Sequence, residues 1–196
     1  MQAAPTRTRF NPLSIGAHWL TLVLLIAVYA LIELRDIYPK GSDARELMKT
    51  WHYMLGLTVF GIVFVRLALS AIFRAPPIEP APPKWQLSLA KAMHVALYAF
   101  LVAMPLLGWL AVSAKGHPVP FFGLELPALV GPNKALGKNI ENIHETIGVL
   151  GYYLIGLHAA AALVHHYLMG DNTLRRMLPW RARERSSAQS RGLRSA

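Results

Sequence analysis

Histidine is the residue type in this chain best suited to chemistry: there are eight, and no cysteine competes with them for a metal. His18, His52, His94, His144, His158, His165 and His166 fall inside or at the ends of long apolar segments. An ionisable group in such a segment is costly, so each one poses a functional question. His144 and His158 lie 14 positions apart, almost four turns of about 3.6 residues. They therefore share one helix face, about 21 Å apart along the axis. A heme standing between helices takes one imidazole from each side. One helix with two such histidines supplies half of each level for two hemes stacked across a bilayer.

Their partners must sit at matching depths. His52 opens one apolar segment at the same level as His144, which pairs the two for an outer heme. His18 lies in the first turns of another segment, level with His158, and the two pair for an inner heme. His94 begins a third segment on the inner side and competes with His18; spacing leaves the pair open, with His18 preferred. Two neutral imidazoles leave no open position on iron, which favours electron transfer over oxygen binding. Without cysteine no thioether can form, so both hemes are expected to be b-type and non-covalent. Disulfides and iron–sulfur clusters are excluded on the same ground.

Other residues fit around these four. Arg66 follows His52 by 14 positions and so faces the inner level, where it could pair with heme propionates or snorkel to the inner surface. His165, one heptad past His158, is a candidate hydrogen-bond donor to a quinone carbonyl. Gly56, Gly148, Gly151 and Gly156 permit either close approach of a flat macrocycle or ordinary helix packing. His117 lies in a loop, and His166 reads with His165 as an interfacial pair. A zinc or copper transporter would gather carboxylates with the histidines at one depth, whereas here the carboxylates avoid the apolar segments.

The elements that must hold these residues are four apolar windows, at about 14–33, 51–73, 87–113 and 143–169, each near or above the roughly 20 residues that cross a hydrocarbon core. The chain is 54% hydrophobic and only 15% charged, and the charges crowd between the windows. The expectation is an all-α integral membrane four-helix bundle. The first window is too long for a signal-peptide core and ends in Glu33-Leu34-Arg35 without a cleavage site. With the N-terminus inside, thirteen of the 20 Lys and Arg fall on the inner side and seven on the outer. Both termini are therefore expected in the cytoplasm. The net charge of +10 is then a topology signal plus a basic tail, not a nucleic-acid footprint. Residues 1–179 form the transmembrane diheme domain, and residues 180–196 a disordered cytoplasmic tail. The loop from Ala114 to Asn142 is long and apolar enough to lie on the outer end of the bundle or in the interface.

The stretch Leu157-His-Ala-Ala-Ala-Ala-Leu-Val-His-His-Tyr167, with Asp171-Asn-Thr-Leu-Arg-Arg-Met-Leu-Pro179, resembles the prokaryotic cytochrome b561 family. So do Ile15-Gly-Ala-His-Trp19, Trp51-His-Tyr-Met-Leu-Gly56 and Asn142-Ile-His-Glu-Thr146. The similarity covers nearly everything but the basic tail and looks closest to stand-alone members that oxidise superoxide. It implies a diheme protein of the bacterial inner membrane, oxidising superoxide on the periplasmic side and reducing ubiquinone. It also implies iron ligation by His18, His52, His144 and His158, choosing His18 over His94, and a quinone contact at His165. The alternative is an anchor subunit that passes electrons between a periplasmic dehydrogenase or hydrogenase partner and the quinone pool. A heme-binding sensor without turnover is a third reading.

Overall fold

The computed structural model describes residues 8–179; the expected tail, 180–196, lies outside them. Four helices dominate: α1 (Pro12–Leu34), α2 (Asp43–Ile72), α3 (Lys84–Ala114) and α4 (Lys134–Tyr167). All four are long and apolar enough to cross a membrane. Large apolar side chains such as Val23, Ile26, Phe64 and Leu157 point outward, as a lipid-facing surface requires.

The helices begin before the apolar windows because their starts are set by caps, which hydropathy does not register. Asn11 accepts from the Leu13 amide ahead of Pro12, and Ser42 accepts from the Arg45 amide at the start of α2. Asn133 caps α4 through the Leu136 amide, ten residues before the apolar stretch begins. At 34 residues α4 is about 51 Å long, more than a hydrocarbon core of about 30 Å, so its first turns stand clear of it. Proline-rich chain joins α2 to α3.

Neighbouring helices run antiparallel, so the start of α1 and the end of α4 meet at one end of the bundle, here called the terminal end. The residues after α4 close that end. Trp19 Nε1 donates to Met177 O at 2.7 Å, the Arg176 guanidinium donates to Pro76 O, and Asn172 and Glu79 exchange two hydrogen bonds of 3.0 Å. The opposite end carries a small antiparallel hairpin, β1 (Val119–Phe121) and β2 (Leu124–Leu126), and is called the hairpin end. Its two-residue turn has positive φ at Phe122 and Gly123 (47° and 85°), the primed geometry that suits a tight hairpin. Val119 is buried, and the Phe122 amide meets the Met54 sulfur at 3.3 Å, which seats the hairpin on α2. The apolar 114–142 connection thus packs on the bundle end.

Midway between the ends Val59, Val63, Phe100 and Leu101 form the buried core. Gly151, halfway between His144 and His158, is where α4 comes closest: a Cβ there would run into Phe100 and the Tyr29 hydroxyl. Gly151 thus serves helix packing. Gly56 and Gly156 face open space, and Gly148 meets only the Met104 methyl at ordinary contact distance.

Candidate functional site

The histidines gather at the two ends of the core. At the hairpin end, α2 brings His52 and α4 brings His144 to a ring-centroid separation of 6.3 Å. His52 Nδ1 lies 2.9 Å from Val28 O on α1. A carbonyl can only accept, so Nδ1 carries the proton and the Nε2 lone pair is free for a metal, the usual arrangement of a ligating imidazole. His144 packs against Gly108 of α3, where a Cβ would come within 3.3 Å of its Cε1 atom; any side chain there would push the ring. His144 Nδ1 is buried without a hydrogen-bond partner.

Cavities of about 310 Å³ and 110 Å³ adjoin this pair, and His52, Gly56, Pro105 and His144 line both. Pro105 interrupts the hydrogen bonding of α3 at this depth, since it has no N–H to offer Leu101 O. The larger cavity reaches between α1 and α4, where the Tyr29 hydroxyl donates to Gly148 O at 2.7 Å and the Tyr152 hydroxyl to Glu33 at 2.9 Å.

At the terminal end α1 brings His18 to a centroid separation of 6.3 Å from His158 of α4. His94 of α3 approaches the same ring at 5.5 Å. A metal–imidazole bond is about 2.0 Å and the bonded nitrogen sits about 1.1 Å from the ring centroid, so two imidazoles across one ion lie about 6.2 Å apart. Both 6.3 Å pairs match that spacing, and His94–His158 is too short for it. Among the described residues, no group of three or more His, Asp or Glu side chains is arranged to hold a bare metal ion. The donor set suits a macrocycle with axial ligands.

Arg66 lies at the terminal level, with its guanidinium over the Tyr98 ring and one Nη 3.3 Å from His18 Nδ1. Arginine can only donate, so in this contact His18 Nδ1 accepts and its proton sits on Nε2. Iron ligation through Nε2 needs the opposite tautomer, so Arg66 must release His18 before the ring can bind metal. His94 Nδ1 donates to Ala90 O at 2.7 Å within its own helix.

His165 is held by Asp171, with Nδ1 to Oδ2 at 2.7 Å. The Asp171 side chain is only 4% exposed. Burial pushes its carboxyl up, but the Thr173 amide and His165 outweigh this and hold it below the usual carboxylate range. This partner was not read from the sequence, because Asp171 lies past the end of α4 and only the chain reversal at Gly170 (φ 70°) returns it to His165. His166 Nδ1 reaches Asp171 O at 3.4 Å, and His117 is an exposed loop residue.

Residues 9–180 match the family model described as prokaryotic cytochrome b561. The chain is 43% identical to cytochrome b561 homolog 1 of Escherichia coli (strain K12) over 88% of its length and 98% of that protein. It is 34% identical to a probable superoxide oxidase CybB of Yersinia pestis over 87% of its length and 96% of that protein. It is 29% identical to cytochrome b561 homolog 2 of Escherichia coli (strain K12), over 91% and 95%. The chain therefore belongs to the prokaryotic cytochrome b561 family, as a multi-pass protein of the bacterial inner membrane that binds heme b and transfers electrons.

Proposed function

We propose that the chain holds two hemes b, one between His52 and His144 and one between His18 and His158, and works as a superoxide:ubiquinone oxidoreductase. The observation that carries this reading is the pair of equal 6.3 Å imidazole separations at opposite ends of one bundle. When bound, the hemes supply one-electron redox centres at two depths. The balance is two superoxide anions and one ubiquinone, with two protons, giving two oxygen molecules and one ubiquinol.

The hairpin end faces the periplasm and the terminal end the cytoplasm, in line with the excess of Lys and Arg on the terminal side. Superoxide as donor is supported by the likeness to the Yersinia pestis protein. Domain 1–179 is the functional unit. With Nδ1–H given to Asp171, His165 would donate to a quinone carbonyl through Nε2–H as the imidazolium, the form with a proton on both nitrogens. Arg66 turns from His18 to the propionates when the terminal-end heme is in place. Five lysines, Lys40, Lys49, Lys115, Lys134 and Lys138, lie on the outer side and could steer the superoxide anion. Lys49 is paired with Glu46, and Lys115 and Lys138 are both paired with Glu141, so among the described residues Lys40 and Lys134 are the outer lysines without a carboxylate partner.

The test is stopped-flow mixing of the purified protein with superoxide, following the heme spectrum with and without ubiquinone. Rapid heme reduction, followed by reoxidation on adding quinone, supports the reading. Reduction no faster than a non-specific control rejects superoxide as donor and turns the search to a redox protein partner.

A further inference from the structure

At the terminal end the sequence offers Arg66 as a counter-charge for heme carboxylates, but nothing in the sequence marks a counterpart at the hairpin end. The structure supplies one. Arg35 sits on the single 3-10 turn Arg35–Ile37 that follows α1, and it lines both cavities beside His52 and His144. Among the described residues it is the one cation common to both; Lys115 lines the smaller cavity but is bound to Glu141 at 2.5 Å.

The guanidinium of Arg35 is short of acceptors. Its Nε is shut off from solvent and has no hydrogen-bond partner, although 26% of the side chain remains exposed. The carboxylate beside it, Asp36, is 3.7 Å from that Nε and is taken instead by Arg45 at 2.6 Å. Arg45 also donates to the carbonyls of Arg35 and Tyr38, both at 3.1 Å, so a second arginine fixes the turn from which Arg35 projects. The other acids on the larger cavity do not meet the need: Glu33 receives the Tyr152 hydroxyl, and Glu145 makes no ion pair with Arg35. A buried guanidinium edge with no acceptor, on a braced turn beside a pair of metal-binding imidazoles, calls for a planar carboxylate that arrives with the metal.

We propose that Arg35 anchors a propionate of the heme held at the hairpin end, donating through its Nε–H edge. This rests on the reading that His52 and His144 hold that heme. A free anion such as superoxide could use the same donors, but it would need them open to solvent, and the Nε is not.

The experiment follows transfer of heme from the detergent-purified holoprotein to excess apomyoglobin, for wild type, Arg35→Gln and Arg35→Lys, with His52→Ala as reference. The wild type is also stripped and refilled with protoheme or its dimethyl ester, which lacks the carboxylates. The proposal predicts that one of two release phases speeds up by about tenfold or more in Arg35→Gln and by less in Arg35→Lys. It also predicts that the ester fills one site of the wild type more weakly than protoheme does. Unchanged release in both variants overturns it, as does equal filling by heme and ester, and this second arm needs no variant to fold. A slower superoxide reaction with unchanged heme release would instead make Arg35 an anion guide, against the proposal. If His52→Ala keeps both hemes, the assignment of His52 as ligand of the hairpin-end heme fails, separately from the fate of Arg35.

Discussion

The two ends of the bundle hold histidine pairs at the same separation, 6.3 Å, yet they are not equally prepared. At the hairpin end His52 is locked by Val28 O with its Nε2 free, His144 rests on Gly108, and cavities adjoin the pair. At the terminal end His18 Nδ1 accepts from Arg66, which leaves the proton on Nε2, and His94 crowds the same partner. The hairpin-end pair is preorganised by backbone contacts that need not change on metal binding. The terminal-end pair is contacted by a guanidinium that would have to give up His18 Nδ1 for ligation through Nε2. Equal spacing is therefore not equal readiness, and the difference is set by what sits on the second ring nitrogen.

The largest effect that would break this comparison is loss of a heme. His144→Ala and His158→Ala should each lower heme content from about two per chain to about one by pyridine hemochromogen assay, each leaving the other end loaded. Retention of both by either variant would undo the assignment for that end. Next comes the partition between the ends. Gly151→Ala forces Phe100 and Tyr29 aside, and overpacking of this kind costs about 1–3 kcal/mol. That corresponds to a fall in Tm of about 2–12 °C for a chain of this size, read by thermal scanning fluorimetry. An unchanged Tm would mean the core between the two levels is loosely packed.

A smaller effect would sharpen the contrast in electrostatics. Arg66→Gln removes a positive charge that favours reduced heme, so one midpoint potential should fall by about 30–60 mV in a spectroelectrochemical titration while the other stays. Equal shifts of both would show that Arg66 is not local to one level. The smallest effect concerns Asp171. Its carboxyl is depressed in the folded protein, so its contribution to stability is present above the unfolded carboxylate value of about 3.9 and is lost as pH falls through the lower folded value. The Tm gap between wild type and Asp171→Asn should therefore be widest near pH 7 and close below about pH 4. A gap that persists in acid would remove charge from the account of this residue.

What was legible in the sequence is what periodicity and composition report. The four spans follow from apolar runs, and the 14-residue interval puts His144 and His158 on one face of α4. What was not legible depends on contacts between distant segments or on polar caps. Asn133 and Ser42 extend α4 and α2 beyond anything hydropathy records. The hairpin escaped notice because its turn is Phe122-Gly123, and a phenylalanine at positive φ carries none of the usual Asn-Gly or Asp-Gly signal. Gly108 and Arg35 matter only through what the fold lays beside them. The Arg66–His18 contact is likewise a product of packing, since sequence gives a face but not a hydrogen-bond partner.

Electron paramagnetic resonance of the oxidised protein decides whether His18 or His94 stands opposite His158. The account predicts two low-spin ferric heme signals in the wild type and in His94→Ala, with one of them lost or turned high-spin in His18→Ala. Loss of that signal in His94→Ala, with both kept in His18→Ala, would contradict it and make the 5.5 Å pair the ligating one.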